Sequence, residues 1–542
     1  MRIPYTISKN VFEAYRCSRE TLILPREQNR ILRSENESWD ENIIPELKIL
    51  ALRVIAREWE RNPILEKLPT CEDRDVLLEI LPTDLPFKLI IKEIPYEYYW
   101  ERAAKDRWEF NNLVEHGNSW RQLYCERHFA EYLESLDATY FEPQQETCEE
   151  TIGLLRDFIY TLRIRALVPT KYPFKWSGDE TEDSCTADEF PVNHIPMNII
   201  LPKLPNLTEL ILNFGMIYMN DGFEWRDFQF SVKDCLNLGH GIKDCLHLRK
   251  LVLTKSNLDQ PRVAALLQGV AVNNSIREID FSHCKLGNRG AQAVGCFLTI
   301  HRRLNVLHLA NNKIGPEGIA GIIHGLLQDH SVPLKHLNLR LNPLQEAGGV
   351  HVCALLLRHA RLEVLNISGC GLGPETGIGM SDIIASGHLK CSTLELDVSN
   401  NDFGSIAGEA FERNLKLCPQ IVAFDSRLCN FNKESENSIR ETILRHRTDR
   451  KKDKVKLLLS ERRSKIATSK NKILESSSKY ASLMGGSTSS KSDDQERERK
   501  KGDIEDIMGN ADTLFKSNGD RLSTIETQSK AKMSIQFDSS EA

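Results

Sequence analysis

The sequence predicts an α/β fold: a parallel sheet of short strands, each followed by a helix, stacked as an array in the second half of the chain. Three observations predict it. First, seven segments align without gaps from Leu248, Ile276, Leu304, Leu334, Leu362, Thr393 and Ile421, with successive starts 28, 28, 30, 28, 31 and 28 residues apart. Second, each begins with alternating apolar residues, as in "LNVLHLAN", where Leu307 and Leu309 face one way and His308 the other. Third, the aligned segments are separated by amphipathic runs such as "PEGIAGIIHGLLQD" (316–329) and "EAGGVHVCALLLRH" (346–359), each about three helical turns long.

The shared pattern, LxxLxLxx(N/C)xL, is that of the leucine-rich repeat, and a period near 28 with a full helix resembles the ribonuclease-inhibitor class. The implied shape is a horseshoe with strands inside and helices outside. An irregular earlier copy begins at Leu207, so about eight repeats are expected over 195–447. The (N/C) position reads Ser256, Cys284, Asn312, Asn342, Cys370, Asn401 and Cys429. A side chain there can bond neighbouring backbone where the chain turns. Such arrays need caps at both ends, and "ESENSIRETILRHR" (434–447) reads as the closing helix.

The outward strand positions form the expected concave face. The central row is Val252, Asp280, His308, Asn338, Asn366, Asp397 and Asp425. Beside it run Thr254, Ser282, Ala310, Arg340, Ser368, Ser399 and Arg427. Small polar side chains with scattered charge suit protein recognition better than a small-molecule pocket. A solvated face without a partner is the bland alternative.

The first half reads differently. Residues 1–40 form an N-terminal extension with little periodicity. A helical domain is expected over 41–172. "IIPELKILALRVIAREWERNP" (43–63) is an amphipathic helix stopping before Pro63, and 73–82 is a second. Prolines forbid one continuous helix over 81–95. The aromatic, charged run from Glu97 predicts two helices broken near Gly117, and "CEETIGLLRDFIYTLRIRAL" (148–167) reads as one more. An acidic linker is expected over 173–194, with six acids and no base in 177–190. An insertion, 218–230, carries Phe223, Trp225, Phe228 and Phe230, which either cap the repeat core or form an interface. After 447 the chain turns basic: 448–480 holds eleven Lys/Arg against four Asp/Glu, a basic helix or tail, and 481–542 reads as disordered.

Composition narrows the function classes. With 542 residues, more than one ordinary core is expected. The formal net charge of −6 argues against a globally basic nucleic-acid or membrane binder, and no apolar run approaches a bilayer span. The N-terminus has no apolar core typical of a secretory signal. Fourteen cysteines without a CxxC pair read as reduced thiols of a cytosolic protein. The candidate for chemistry is "EHGNSWRQLYCERHFAEYLE" (115–134), with His116, Cys125, Glu126 and His128. Cys125 and His128 share a helix face, but no second Cys/His pair completes a zinc site. Trp120, Leu123, Tyr124, Phe129, Tyr132 and Leu133 surround most of that helix, so it reads as a packing helix, with Trp120 and Tyr124 as contact candidates. No catalytic residue, cofactor or metal is assigned.

Four stretches together, "HGNSWRQLYCERHFAEYLE", "DGFEWRDFQFSVKDCLNL", "LKHLNLRLNPLQEAGG" and "FDSRLCNFNKESENSI", resemble the T-complex-associated testis-expressed family. That family supplies subunit five of the nexin–dynein regulatory complex. The likeness runs over roughly 40–447 and omits the basic tail. It implies a non-enzymatic structural and regulatory subunit of the axoneme in motile cilia and flagella. The implied partners are other subunits of the complex, including a second leucine-rich-repeat subunit, with the basic tail a candidate contact to the microtubule doublet; no nucleic acid or membrane is implied. Two further classes stay open: a ribonuclease-inhibitor-like cytosolic binding protein and a scaffold or adaptor that recruits an enzyme. For the inhibitor, the concave acids Glu278, Asp280, Glu395, Asp397 and Asp425 are few, and a helical module of about 170 residues is unexplained.

Overall fold

Helix formation in the first half follows its local signals closely. The computed structural model describes residues 46–170, 192–214, 230–328, 332–389, 391–452, 454–456, 458 and 460. α1 spans Leu47–Arg57 and α2 spans Cys71–Ile80, the latter capped by Thr70, whose hydroxyl accepts from Asp73 N at 3.2 Å. The proline-punctuated stretch yields only the short α3, Phe87–Glu93. α4 (Glu97–Arg107) and α5 (Trp120–Ser135) are separated by a turn in which Gly117 has φ +63°, the left-handed conformation that ends a helix at low cost. Glu97 reaches the start of α5: its carboxylate accepts from Ser119 Oγ at 2.6 Å and from the backbone of Trp120 and Arg121 at 2.5 and 3.2 Å. A carboxylate is favoured there because the first amides of a helix lack partners and carry its positive end.

The segment 148–167 is not one helix. α6 ends within it (Phe141–Leu155), and Thr161–Ile164 forms strand β1. Ile152, Leu155, Ile159 and Leu162 are spaced as on a helix face, and all are buried. The local pattern therefore imitates a helix, while an aromatic and β-branched run from Phe158 to Ile164 pairs with a strand about 48 residues away. The span expected to be helical thus contributes the first strand of the sheet.

Among the described residues that sheet has nine parallel strands in sequence order. β2 (Glu209–Leu212), β3 (Lys250–Leu253), β4 (Glu278–Asp280), β5 (Val306–His308), β6 (His336–Asn338), β7 (Val364–Asn366), β8 (Leu394–Asp397) and β9 (Ile421–Asp425) are the strands of the eight aligned copies. The register stacks one inward residue per strand: Leu162, Leu210, Leu251, Ile279, Leu307, Leu337, Leu365, Leu396 and Phe424. The fold is an α/β leucine-rich-repeat array of the kind expected.

The (N/C) position does the backbone bonding expected of it. Asn342 accepts from Asn312 N and Ile314 N at 2.8 and 3.1 Å, and donates to the carbonyls of Leu309 and Leu339 at 2.9 and 2.7 Å. Asn401 repeats this arrangement in full, and Asn312 accepts in the same way and donates to the Phe281 carbonyl one repeat back. Where cysteine stands instead, its thiol is within 3.0–3.3 Å of a carbonyl one repeat back: Cys284 to Leu253, Cys370 to Leu339 and Cys429 to Val398. Cysteine offers a donor but a poor acceptor, so it completes half of what asparagine completes. Burial pushes the Cys284 and Cys370 thiols up to about 12, which leaves them protonated and unreactive.

The outer layer holds α7 (Val232–Lys243), α8 (Gln260–Val272), α9 (Gly287–Ile300), α10 (Pro316–Gln328), α11 (Gln345–Arg358), α12 (Pro374–Ala385) and α13 (Gly404–Leu415). Some neighbours approach until backbones touch. A methyl group on Gly269 would overlap the Gly239 carbonyl between α7 and α8, and one on Gly295 would overlap the Gly321 carbonyl between α9 and α10. No such glycine pair joins α8 to α9. A groove of about 880 Å3 opens there, lined by Leu267, Val272, Cys296 and Ile300. At the far end, helical residues 433–447 close the array, with Ile439 and Ile443 buried over the last strand. There His446 Nδ1 lies 2.9 Å from the Ile421 carbonyl, and Arg447 Nε donates to the Val422 carbonyl at 2.7 Å.

Residues 1–40, nearly all of the acidic linker 173–194, and 481–542 lie outside the described residues, as does most of the basic stretch 448–480, of which 448–452 are helical.

Candidate protein-interaction surface

The stretch 115–134 forms a joint. Glu126, only 2% exposed, sits in the middle of α5 beneath the start of β1. One oxygen accepts from the backbone of Tyr160 and Thr161 at 2.9 and 2.8 Å and from Gln122 Nε2 at 3.0 Å, while the other lies 2.5 Å from His116 Nδ1. Every member of this network has a partner, which is what makes a buried carboxylate tolerable. Because β1 is the edge strand of the sheet, Glu126 fastens the helical segment to the repeats. Cys125 is fully buried and its thiol is pushed up by desolvation. His128 stacks on Phe87 at 4.1 Å between ring centroids, with Arg107 Nη1 2.9 Å from its Nδ1. Burial, reinforced by Arg107, lowers its pKa to about 4. A histidine that stays neutral against an aromatic ring is packing material. Among the described residues no group of three or more His, Cys, Asp or Glu could hold a metal ion.

The aromatic contact candidates divide. Tyr124 is buried among Trp100 and Trp108, with ring centroids at 5.2 and 5.1 Å, so it faces the core and offers no contact surface. Phe230 is likewise core: it stacks on Phe214 at 4.4 Å and is 1% exposed. The reason in both cases is that neighbours distant in sequence cover the ring. Trp120 remains half-exposed under the Lys105 ammonium, 5.5 Å from its ring centroid. Phe223, Trp225 and Phe228 lie outside the described residues.

The strand register places the central outward residues in one row: Arg163, Ile211, Val252, Asp280, His308, Asn338, Asn366, Asp397 and Asp425. Five of them also work locally. Asp280, Asn338, Asn366, Asp397 and Asp425 each accept from the backbone N–H two residues on, at 2.8 to 3.2 Å, which turns the chain as the strand ends. Their polarity is accounted for before any partner is invoked. His308 makes no such bond and Arg340 is exposed, so these two have the most freedom to meet another protein. Arg427 is committed: it pairs with Asp425 at 2.6 Å, and that bond holds the Asp425 carboxyl below its usual range.

A second outward row, of which the sequence reading named only Glu278 and Glu395, runs Thr161, Glu209, Lys250, Glu278, Val306, His336, Val364, Glu395 and Ala423. The period-2 alternation contained it, two positions before the central row. Lys250 and Glu278 pair across it at 2.9 Å, and Glu395 is exposed.

The Leucine Rich repeat family matches residues 272–295 and 302–322. Dynein regulatory complex subunit 5 of Mus musculus is 30% identical over 272 residues, covering 49% of this chain and 54% of that protein. The protein of that name from Chlamydomonas reinhardtii is 28% identical over 225 residues, 41% of this chain and 50% of its own. Ribonuclease inhibitor of Sus scrofa is 27% identical over 231 residues, 37% and 49% respectively. The chain therefore spans about half the length of the curated relatives it matches.

Proposed function

From a leucine-rich-repeat chain homologous to dynein regulatory complex subunit 5 over half its length, we propose a structural and regulatory subunit of that complex in motile cilia. It holds partner subunits, a second leucine-rich-repeat subunit among them, on the concave rows, and helps restrain dynein-driven sliding. The observation that carries this reading is the joint occurrence of that homology and a face of nine described strands whose outward residues are mostly polar. His308 and Arg340 are its central contacts, with Asp280, Asn338, Asn366, Asp397, Asp425 and Arg427 shaping the surface around them. Phe223, Trp225 and Phe228 extend it, Trp120 gives the helical segment its own contact, and the basic stretch after 447 is the candidate microtubule contact. The chain does not act as an enzyme in this reading.

The test follows the protein through demembranated flagella and stepwise salt. Release at high salt together with other subunits of the complex supports the proposal. Recovery with the soluble matrix sinks it, and the homology to ribonuclease inhibitor then favours a cytosolic binding protein. Within the axoneme, His308→Glu with Arg340→Glu lowers co-release by about tenfold. Trp225→Ala with Phe228→Ala, in folded protein, tests the insertion: unchanged partner binding removes it from the interface.

A further inference from the structure

Away from the concave face, the turns that lead from helix to strand carry a cluster of cations. Lys243 ends α7, Arg249 precedes β3, Arg277 precedes β4 and Arg303 precedes β5, around a groove of about 560 Å3. His247 lines it too, and no Asp or Glu is among its lining residues. Arg249 and Arg277 occupy equivalent positions on adjacent rungs: Arg277 N donates to the Arg249 carbonyl at 2.8 Å. Their Cα atoms are thus about one strand spacing apart, ~4.8 Å.

The nearby acids are turned elsewhere. Glu278, next to Arg277, extends to Lys250 on the concave side at 2.9 Å. Asp244 follows Lys243 but does not line the groove. Burial of Arg277, with the like charges of Arg303 and Arg249 beside it, lowers its pKa. Like charges held this close cost free energy in the unbound protein, and an anion placed between them relieves that cost.

The groove is also rigid. Asn273 is buried and donates to the carbonyls of Ile242 and Cys245 at 2.7 and 2.8 Å, and Ser275 Oγ donates to the Leu248 carbonyl at 2.8 Å. Arg277 Nη1 is held by the carbonyls of Asn274 and Ile276, both at 2.9 Å. A binding surface whose walls are set beforehand loses little order on binding.

We propose that this groove, formed by Lys243, Arg249, Arg277 and Arg303, docks an extended acidic peptide segment of a partner protein. Carboxylates match the guanidinium forks in pairs, and an extended chain runs naturally across successive rungs. No Phe, Tyr or Trp is among the described residues that line the groove, and single-stranded nucleic acid uses such rings as a stacking platform. The surface is separate from the concave rows, and its occupancy stands or falls independently of the subunit assignment.

The test uses the full chain and a fluorescein-labelled peptide of six Glu-Ser repeats, read by fluorescence anisotropy at several salt concentrations. The expected result is saturable binding that weakens with salt and falls by about tenfold or more in Arg249→Gln/Arg303→Gln. Adding Arg277→Gln deepens the loss. That residue also braces the turn, so the double variant is the primary test and its circular dichroism melt is compared with the parent. Lys313→Gln/Arg358→Gln, which removes two exposed cations elsewhere on the array, changes affinity by less than about twofold. Equal loss in both variants, or none in the first, overturns the proposal. Tighter binding of a twelve-nucleotide oligo(dT), lost in the same double variant, overturns the peptide assignment.

Discussion

The helical segment and the repeat array are held together in opposite ways. In the first, cohesion is concentrated: Trp59, Tyr99, Trp100 and Phe129 are fully buried, and two carboxylates of α5 hold the strand beside it, Glu126 at the start of β1 and Glu134 at Arg165 just past its end. In the second, cohesion is distributed: the same asparagine or cysteine bond recurs from repeat to repeat, and some neighbouring helices touch through glycines. The first arrangement makes a joint of a few unlike bonds, of which those to Glu126 are the most buried. The second is a sum of near-equivalent contacts between neighbours, so damage to one stays close to where it is made.

That contrast can be broken at its strongest point first. Glu126→Leu leaves the amides of Tyr160 and Thr161 buried without an acceptor and should lower unfolding free energy by roughly 3–5 kcal/mol. Urea unfolding measures the loss, and amide exchange should show it spread over both α5 and β1. A change below about 1 kcal/mol would mean that the joint is not concentrated there. Next in size, Gly295→Val forces α9 from α10 and should cost roughly 3 kcal/mol, with faster exchange confined to 287–328. Exchange rising equally across all nine strands would contradict a distributed array.

Asn342→Ala removes both acceptor and donor from one rung and should cost about 2 kcal/mol. Asn342→Cys should recover part of that, since Cys284 and Cys370 already make the half-bond at equivalent positions. No recovery would show that the two residue types are not interchangeable on this ladder. The smallest effect is a pH dependence. Unfolded His128 takes up its proton near its ordinary 6.5, but the folded protein only near 4. Between those values the unfolded state binds more protons, so stability falls as pH drops through the window, by roughly 2 kcal/mol once the ~3 kcal/mol of the full shift is reduced for solvent screening of a part-exposed ring. His301, in the array, is shifted the same way by burial. His128→Phe should flatten the lower part of the profile and leave the His301 contribution; an unchanged profile would remove His128 from it.

Most of the array was legible because its signals are local and repeated. Leu307 and Leu309 alternate within three residues, and Asn312, Asn342 and Asn401 recur at the same offset from their strands. Less of the interaction surface could be read. The central row was found, but not that Asp280, Asn338, Asn366, Asp397 and Asp425 already bond their own turns, since an aspartate serving a turn and one awaiting a partner are the same letter. Tyr124 and Phe230 failed as contact candidates because aromatic residues mark cores and interfaces alike. The arginine groove went unseen because Arg249, Arg277 and Arg303 come together only when repeats stack.

By itself, then, the sequence determined the repeat: its period, its strands, the residue at each turn and the helix that closes the far end. Each is decided by contacts within a few residues or at one fixed spacing. The tertiary structure alone decided where the array begins. Ile152, Leu155, Ile159 and Leu162 keep helical spacing through Leu162, and only pairing with β2, together with a carboxylate from α5, makes Thr161–Ile164 a strand. Hydrogen bonds to a distant partner outweigh local periodicity, because an edge of backbone left unpaired beside a buried core is the costlier alternative.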